Sequence, residues 1–152
     1  MLKYFYDNDL IRLCEKIPET WQEAIEFSCQ TLIEKGLITQ QYVAEIITCV
    51  QKYGPYIVIV PGVAMPHSSQ DSEGVLGTAI SFTKMPQDVV FEEGNEDKNA
   101  RLFFTLAAKN SDEHVENISK LSEMLMTDGL IEALSAVETM ADYRQVMTRF
   151  NV

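Results

Sequence analysis

The chain contains two histidines, His67 and His114. An unperturbed histidine, with a pKa of about 6.5, is largely neutral at neutral pH and offers one ring nitrogen with a free lone pair. Such a nitrogen can accept a phosphoryl group without first losing a proton, and a covalent intermediate splits one transfer into two easier steps. His67 follows Pro66 where an apolar run gives way to a polar one, and the hydroxyls of Ser68 and Ser69 beside it could hold phosphoryl oxygens. His114 falls in the first turn of a predicted helix. There backbone amides and the helix dipole favour an anion, and its ring N–H could add a further donor. The two residues are far apart along the chain, so only tertiary structure can unite them. A plainer reading stands beside this one: a histidine next to a loop is usually a solvated or hydrogen-bonded residue with no chemistry.

Other chemistries find less support. Two histidines without cysteine or carboxylate partners at ligand spacing make no zinc signature. No G-x-S-x-G elbow is present, so a hydrolase would have to use His67 as a general base in some other setting. Gly54, Gly62, Gly74 and Gly77 match neither common phosphate-binding loop. Glu92, Glu93, Glu96 and Asp97 form a charge run that reads as a solvated loop.

The positioning elements must come from 152 residues, enough for one domain with its own core, and the whole span 1–152 is read as a single domain. Hydrophobic residues make up 46% and charged residues 23%, which excludes a mostly disordered chain. The net charge of −11 argues against a nucleic-acid partner and an anionic membrane surface, and would steer a basic protein toward the chain. No apolar run is long enough to span a bilayer and the opening residues show no export pattern, so a cytoplasmic protein without membrane insertion is expected. Cys14, Cys29 and Cys49 are odd in number and lack C-x-x-C spacing; Cys29 and Cys49 read as small buried hydrophobes.

Residues 1–13 read as a short opening segment, helical in pattern and broken by Pro18. Thr20 and Glu23 have capping-box spacing ahead of a helix carrying Trp21, Ala24, Ile25, Cys29, Leu32 and Ile33, which Gly36 stops. Thr39 opens a second helix with Tyr42, Val43, Ile46, Ile47 and Val50 inward, ended by Gly54-Pro55. Tyr56 to Val60 is predicted as a buried strand, Val63 to Met65 as an extended piece, Val75 to Phe82 as a strand, Val89 to Phe91 as a short edge strand and Arg101 to Ala107 as the clearest later strand. Asp112 is predicted to cap a helix with Val115, Ile118, Leu121 and Leu125 on one face. Leu130 to Val137 and a final helix from Thr139 follow. Strands joined by tight connections must include antiparallel pairs, and helices before and after can cover both faces. The expected fold is α/β: a three-layer α/β/α sandwich with a mixed parallel/antiparallel sheet.

The run Pro61-Gly62-Val63-Ala64-Met65-Pro66-His67 resembles the active-site stretch of type-2 enzyme IIA domains of the bacterial sugar phosphotransferase system, the mannitol–fructose class. In that family a small-apolar-Pro-His run ends in the phosphorylated histidine, here Ala64-Met65-Pro66-His67. Gly74-Val75-Leu76-Gly77 fits the strand that follows, and His114, after Leu102 to Ala108, is similar to a second active-site histidine. The resemblance extends from about Asp9 to Met147 by the order of elements. Asp9-Leu10-Ile11 and Gly54-Pro55-Tyr56-Ile57-Val58 look most like the ascorbate-specific branch. One departure is Ser68-Ser69, where the family usually has Gly or Ala after the histidine and relatives of the ascorbate type often continue with Arg; the positive group that would hold the phosphoryl oxygens is therefore unassigned.

What the resemblance implies is a phosphotransferase relay without metal or organic cofactor. The phosphocarrier protein HPr would load His67 as a phosphohistidine, with His114 stabilising the phosphoryl group. His67 would pass it to a cysteine of enzyme IIB, and the membrane component IIC would couple transfer to uptake of a sugar, L-ascorbate on this branch. Two alternatives stay open: a regulatory domain of the same kind that signals phosphorylation state by binding other proteins, and the small hydrolase above.

Overall fold

The computed structural model describes residues 1–68 and 72–152. Its elements are α1 (Leu2–Asp7), β1 (Ile11–Leu13), α2 (Trp21–Glu34), α3 (Gln40–Tyr53), β2 (Val58–Val60), β3 (Gly62–Ala64), β4 (Ala79–Val90), a 3-10 turn (Glu96–Lys98), β5 (Asn99–Ala107), α4 (Ser111–Leu125), α5 (Leu130–Ser135) and α6 (Met140–Phe150). Among the described residues the strands form one sheet in the order β1-β4-β5-β3-β2. β1 runs parallel to β4 and β3 parallel to β5, while β4/β5 and β2/β3 are antiparallel, which makes the sheet mixed as expected.

Side chains alternate across a strand, and one stretch of the central pair shows which helices lie on which face. Ser81 pairs with Thr105, and both hydroxyls donate to the Ser28 carbonyl of α2, at 3.5 and 3.0 Å. The adjacent pair, Phe82 and Phe104, points the other way, with ring centroids 4.9 Å apart. Phe5 of α1 meets Phe104 at 5.8 Å, and Tyr143 of α6 meets Phe82 at 6.1 Å. The sheet is thus a middle layer, with α2 on one side and α1 and α6 on the other. The Tyr143 hydroxyl, donating to the Leu2 carbonyl at 2.6 Å, ties the last helix to the first.

Local capping follows the residue chemistry. Thr20 accepts from the Glu23 amide at 3.1 Å to open α2, and Thr139 with Asp142 forms a full capping box on α6. Gly36 and Gly54 follow α2 and α3 with φ of +71° and +81°, a region costly for side chains bearing a Cβ. Cys29 and Cys49 are buried as expected, and burial pushes the Cys29 thiol up to about 12, which makes it inert.

Several expectations are corrected. Tyr56 to Val60 is not a buried strand: only Val58–Val60 pairs, and Ile59 and Val60 are 44% and 41% exposed because β2 is the outermost strand. The strand expected from Val75 begins only at Ala79; Val75 itself makes an isolated bridge to Ile38. Val89 and Val90 are not a separate strand but the end of β4, paired with β5 beyond an irregularity between Lys84 and Val89. Pro86 lies in that interval and has no amide to donate, which suits it to a bulge. The opening segment contains β1, too short for its period to register in the sequence. α4 is capped by Asn110, whose side chain accepts from the Glu113 amide at 2.9 Å, and Asp112 sits inside its first turn. Val115, placed inward by periodicity, is 65% exposed.

Because Phe104 is fully buried at the meeting of α1, α6 and the sheet, Phe104→Ala should cost about 3–5 kcal/mol of stability. Urea unfolding should show a lower midpoint at an unchanged slope.

Candidate functional site

β3 carries the chain toward His67, and sheet-like bonding continues beyond it. The Met65 amide donates to the Ile57 carbonyl at 2.8 Å, and the Leu106 amide donates to the Pro66 carbonyl at 3.0 Å. Proline fixes its own φ and keeps Met65 extended, so the backbone enters His67 with little freedom. The His67 ring is held in turn: Nδ1 lies 2.6 Å from the Met65 carbonyl. A carbonyl only accepts, so Nδ1 carries the proton and Nε2 presents its lone pair.

His114 arrives from the other side. β5 ends at Ala107, and α4 begins at Ser111 after the Asn110 cap. The His114 amide bonds the Asn110 carbonyl at 3.1 Å, and Thr78 donates to the Glu113 carboxylate, fastening the first turn to the start of β4. The two histidine rings come together with centroids 5.3 Å apart and planes inclined at 47°. They border a cleft of about 190 Å³ whose lining includes Tyr42, Ser68, Ser72, Ser111 and the exposed Val115. Ser68 is buried at its wall, and its Oγ lies 3.9 Å from the Cys49 thiol. Ser69, the other serine expected to contribute a hydroxyl, lies outside the described residues.

Burial lowers the His67 pKa below its ordinary value of 6.5, and the neighbouring His114 lowers it further, against the opposing effect of the Met65 carbonyl. At neutral pH this favours the neutral ring, with a lone pair on Nε2. No lysine or arginine lines the cleft among the described residues. Positive potential there comes from the start of α4, where the first amides lack intrahelical acceptors. A larger hollow, of about 530 Å³, lies by Glu92, Glu93, Glu96 and Asp97, where carboxylates would repel a phosphoryl group. No group of three or more histidine, cysteine or carboxylate side chains among the described residues could hold a metal ion.

Two residues near His67 carry no signal in the sequence. Tyr42 reads there as a core position of α3 and Tyr56 as part of a strand, yet each hydroxyl bonds backbone beside His67.

Residues 4–149 match the family described as phosphoenolpyruvate-dependent sugar phosphotransferase system, EIIA 2. The chain belongs to that family. Members are phosphotransferases that transfer phosphate by way of a histidine. The mannitol-specific cryptic phosphotransferase enzyme IIA component of Escherichia coli K12 is 34% identical, with 91% of this chain and 99% of the relative covered. The ascorbate-specific EIIA component of the same strain is 30% identical, with 95% and 93% covered. Among solved structures, a putative IIA domain from Streptococcus pyogenes superposes with a TM-score of 0.82 at 30% identity, covering 99% of this chain and 96% of its own. The complex of enzyme IIAMtl with phosphorylated enzyme IIBMtl from Escherichia coli gives 0.76 at 25% identity, covering 93% and 95%. This enzyme IIA shares with them the mixed α/β fold on which the histidine cleft is built.

The lowered His67 pKa has a definite consequence for this enzyme IIA. Between the ordinary 6.5 and the lower folded value, the unfolded chain binds more protons than the folded one. The His67 contribution to stability is therefore fully present above 6.5 and is lost as pH falls through that window. An NMR titration should find His67 titrating below 6.5, and His114→Gln should move it upward while burial still keeps it below that value.

Proposed function

We propose that His67 is the phosphoryl carrier of this enzyme IIA, with Nε2 as the attacking atom, and that His114 stabilises the group in transfer. The observation that carries this reading is the bond between Nδ1 and the Met65 carbonyl, which leaves Nε2 as the nucleophile beside His114. In the first step the P–N bond of phosphorylated HPr breaks as the Nε2–P bond of His67 forms. In the second, the Nε2–P bond breaks as a cysteine thiolate of enzyme IIB takes the phosphoryl group. The proton stays on Nδ1 throughout, donated to the Met65 carbonyl. The protein's work is positioning and charge stabilisation, supplied by the α4 amides, the cleft hydroxyls and the His114 ring N–H.

The relay continues to the membrane component IIC, with residues 1–152 acting as a single cytoplasmic domain. The IIA–IIB complex among the structural neighbours supports the IIB step, and the span of the family match supports one domain. No described helix is long and apolar enough to cross a membrane. The sugar is read as L-ascorbate, supported by the Gly54-Pro55-Tyr56-Ile57-Val58 run and the ascorbate-specific relatives. Mannitol is the second reading, favoured by the higher identity to the cryptic mannitol component.

His67→Ala should fold and accept no phosphoryl group, read by intact mass after incubation with phosphorylated HPr; an adduct on the variant would refute the assignment. His114→Ala should still load His67 but pass the group to IIB roughly 10²-fold more slowly. His114→Gln, which keeps a donor, should be less impaired. Single-turnover rates equal to wild type in both variants would end the catalytic role of His114. Transfer to purified ascorbate-type and mannitol-type IIB proteins tests the sugar.

A further inference from the structure

The peptide unit joining His67 to Ser68 is held at both polar atoms by tyrosine hydroxyls from separate parts of the fold. Tyr56, in the connection between α3 and β2, donates its hydroxyl to the His67 carbonyl. Tyr42, in the first turn of α3, accepts from the Ser68 amide at 3.3 Å and donates its own proton to the Leu106 carbonyl at 2.7 Å. The Tyr56 ring also meets the His67 imidazole edge-on, with centroids 5.3 Å apart, so the imidazole has Tyr56 and His114 as ring neighbours at equal distance. Burial raises both phenols above their usual range, which keeps them protonated and able to donate at neutral pH. Tyr42 is buried, and its hydroxyl joins the end of β5 to the residue that follows the histidine.

A peptide unit at the mouth of a polar loop would ordinarily be free to rotate. Here a turn about the His67 N–Cα bond, which moves that peptide and the Cα–Cβ bond together, would break the short bond from Nδ1 to the Met65 carbonyl and turn Nε2 away from the approaching phosphorus. In-line attack tolerates little such error, because a misplacement of about 1 Å can cost roughly 10²-fold in rate. We infer that Tyr42 and Tyr56 are positioning residues for phosphoryl transfer, clamping the His67–Ser68 peptide so that the imidazole keeps its tautomer and its aim. Neither hydroxyl touches the phosphoryl group in this role; each acts through the backbone of His67. The inference rests on His67 being the acceptor.

The test compares wild type, Tyr56→Phe, Tyr42→Phe and His67→Ala in rapid-quench loading from phosphorylated HPr, with nitrogen-15 spectra of the histidine rings. Both phenylalanine variants should slow kcat by about tenfold, with KM for phosphorylated HPr unchanged to within about twofold. The His67 ring should change from a single Nδ1–H tautomer to a mixture. The double variant should lose less than the product of the two single losses, since either substitution frees the same peptide. If Tyr42→Phe fails to fold, Tyr56→Phe, which keeps its ring at a partly exposed position, carries the test alone. Wild-type kcat in the folded variants overturns the clamp, as does a raised KM with kcat intact, which would mean docking. A slowed kcat with the wild-type ring spectrum also overturns it, since the hydroxyls would then act by another route. Loading of His67→Ala would instead sink the site assignment beneath it.

Discussion

β3 and β5 lie side by side and run in the same direction, and the cleft exists because of that pairing. Parallel neighbours end at the same edge of a sheet, where the residues following each strand can meet. His67 follows β3 and His114 follows β5 through the Asn110 cap. Had the two strands been antiparallel, their carboxyl ends would lie at opposite edges, and no loop of this length could close the gap. The bond from the Leu106 amide to the Pro66 carbonyl extends the pairing past the formal end of β3, so the register of the sheet reaches almost to the imidazole.

The rest of the fold makes that edge rigid. Ser81 and Thr105 grip α2, while Phe82 and Phe104 bury against α1 and α6, so the central strands are enclosed on both faces. A site built from strand ends inherits the stiffness of the sheet, whereas a site on free loops would have to order itself at each encounter. Tyr42 carries the same stiffness one residue further, from Leu106 across to Ser68.

The electrostatics fit a group that must be both accepted and released. The chain carries a net charge of −11, and no lysine or arginine lines the described cleft. A phosphoryl group held by fixed cations would be bound deeply; one met by backbone amides, hydroxyls and the His114 ring N–H is met by hydrogen-bond donors. Burial and the proximity of His114 lower the His67 pKa, which favours the neutral ring that the proposed acceptor role requires.

By itself the sequence determined the features set by local chemistry and by period. The caps at Thr20 and Thr139, the glycine stops at Gly36 and Gly54, the two long amphipathic helices, the strand through Leu102 to Ala107 and the Pro66-His67 step are all readable without coordinates, because each depends on residues adjacent or a turn apart. The resemblance carried by Ala64-Met65-Pro66-His67 brought the family with it and pointed to His114, which the fold places beside His67. Tertiary structure alone decided what depends on distant partners. β1 is too short to show a period, and it exists because β4 offers it an edge. Val58 to Val60 has core composition but lies outermost, since sheet order is a property of the whole chain. Val115 has helical spacing from the core residues of α4 yet is exposed, bordering the histidine cleft and not the core. Tyr42 and Tyr56 look like ordinary apolar positions; only the fold, by delivering the His67–Ser68 peptide between them, gives their hydroxyls something to hold.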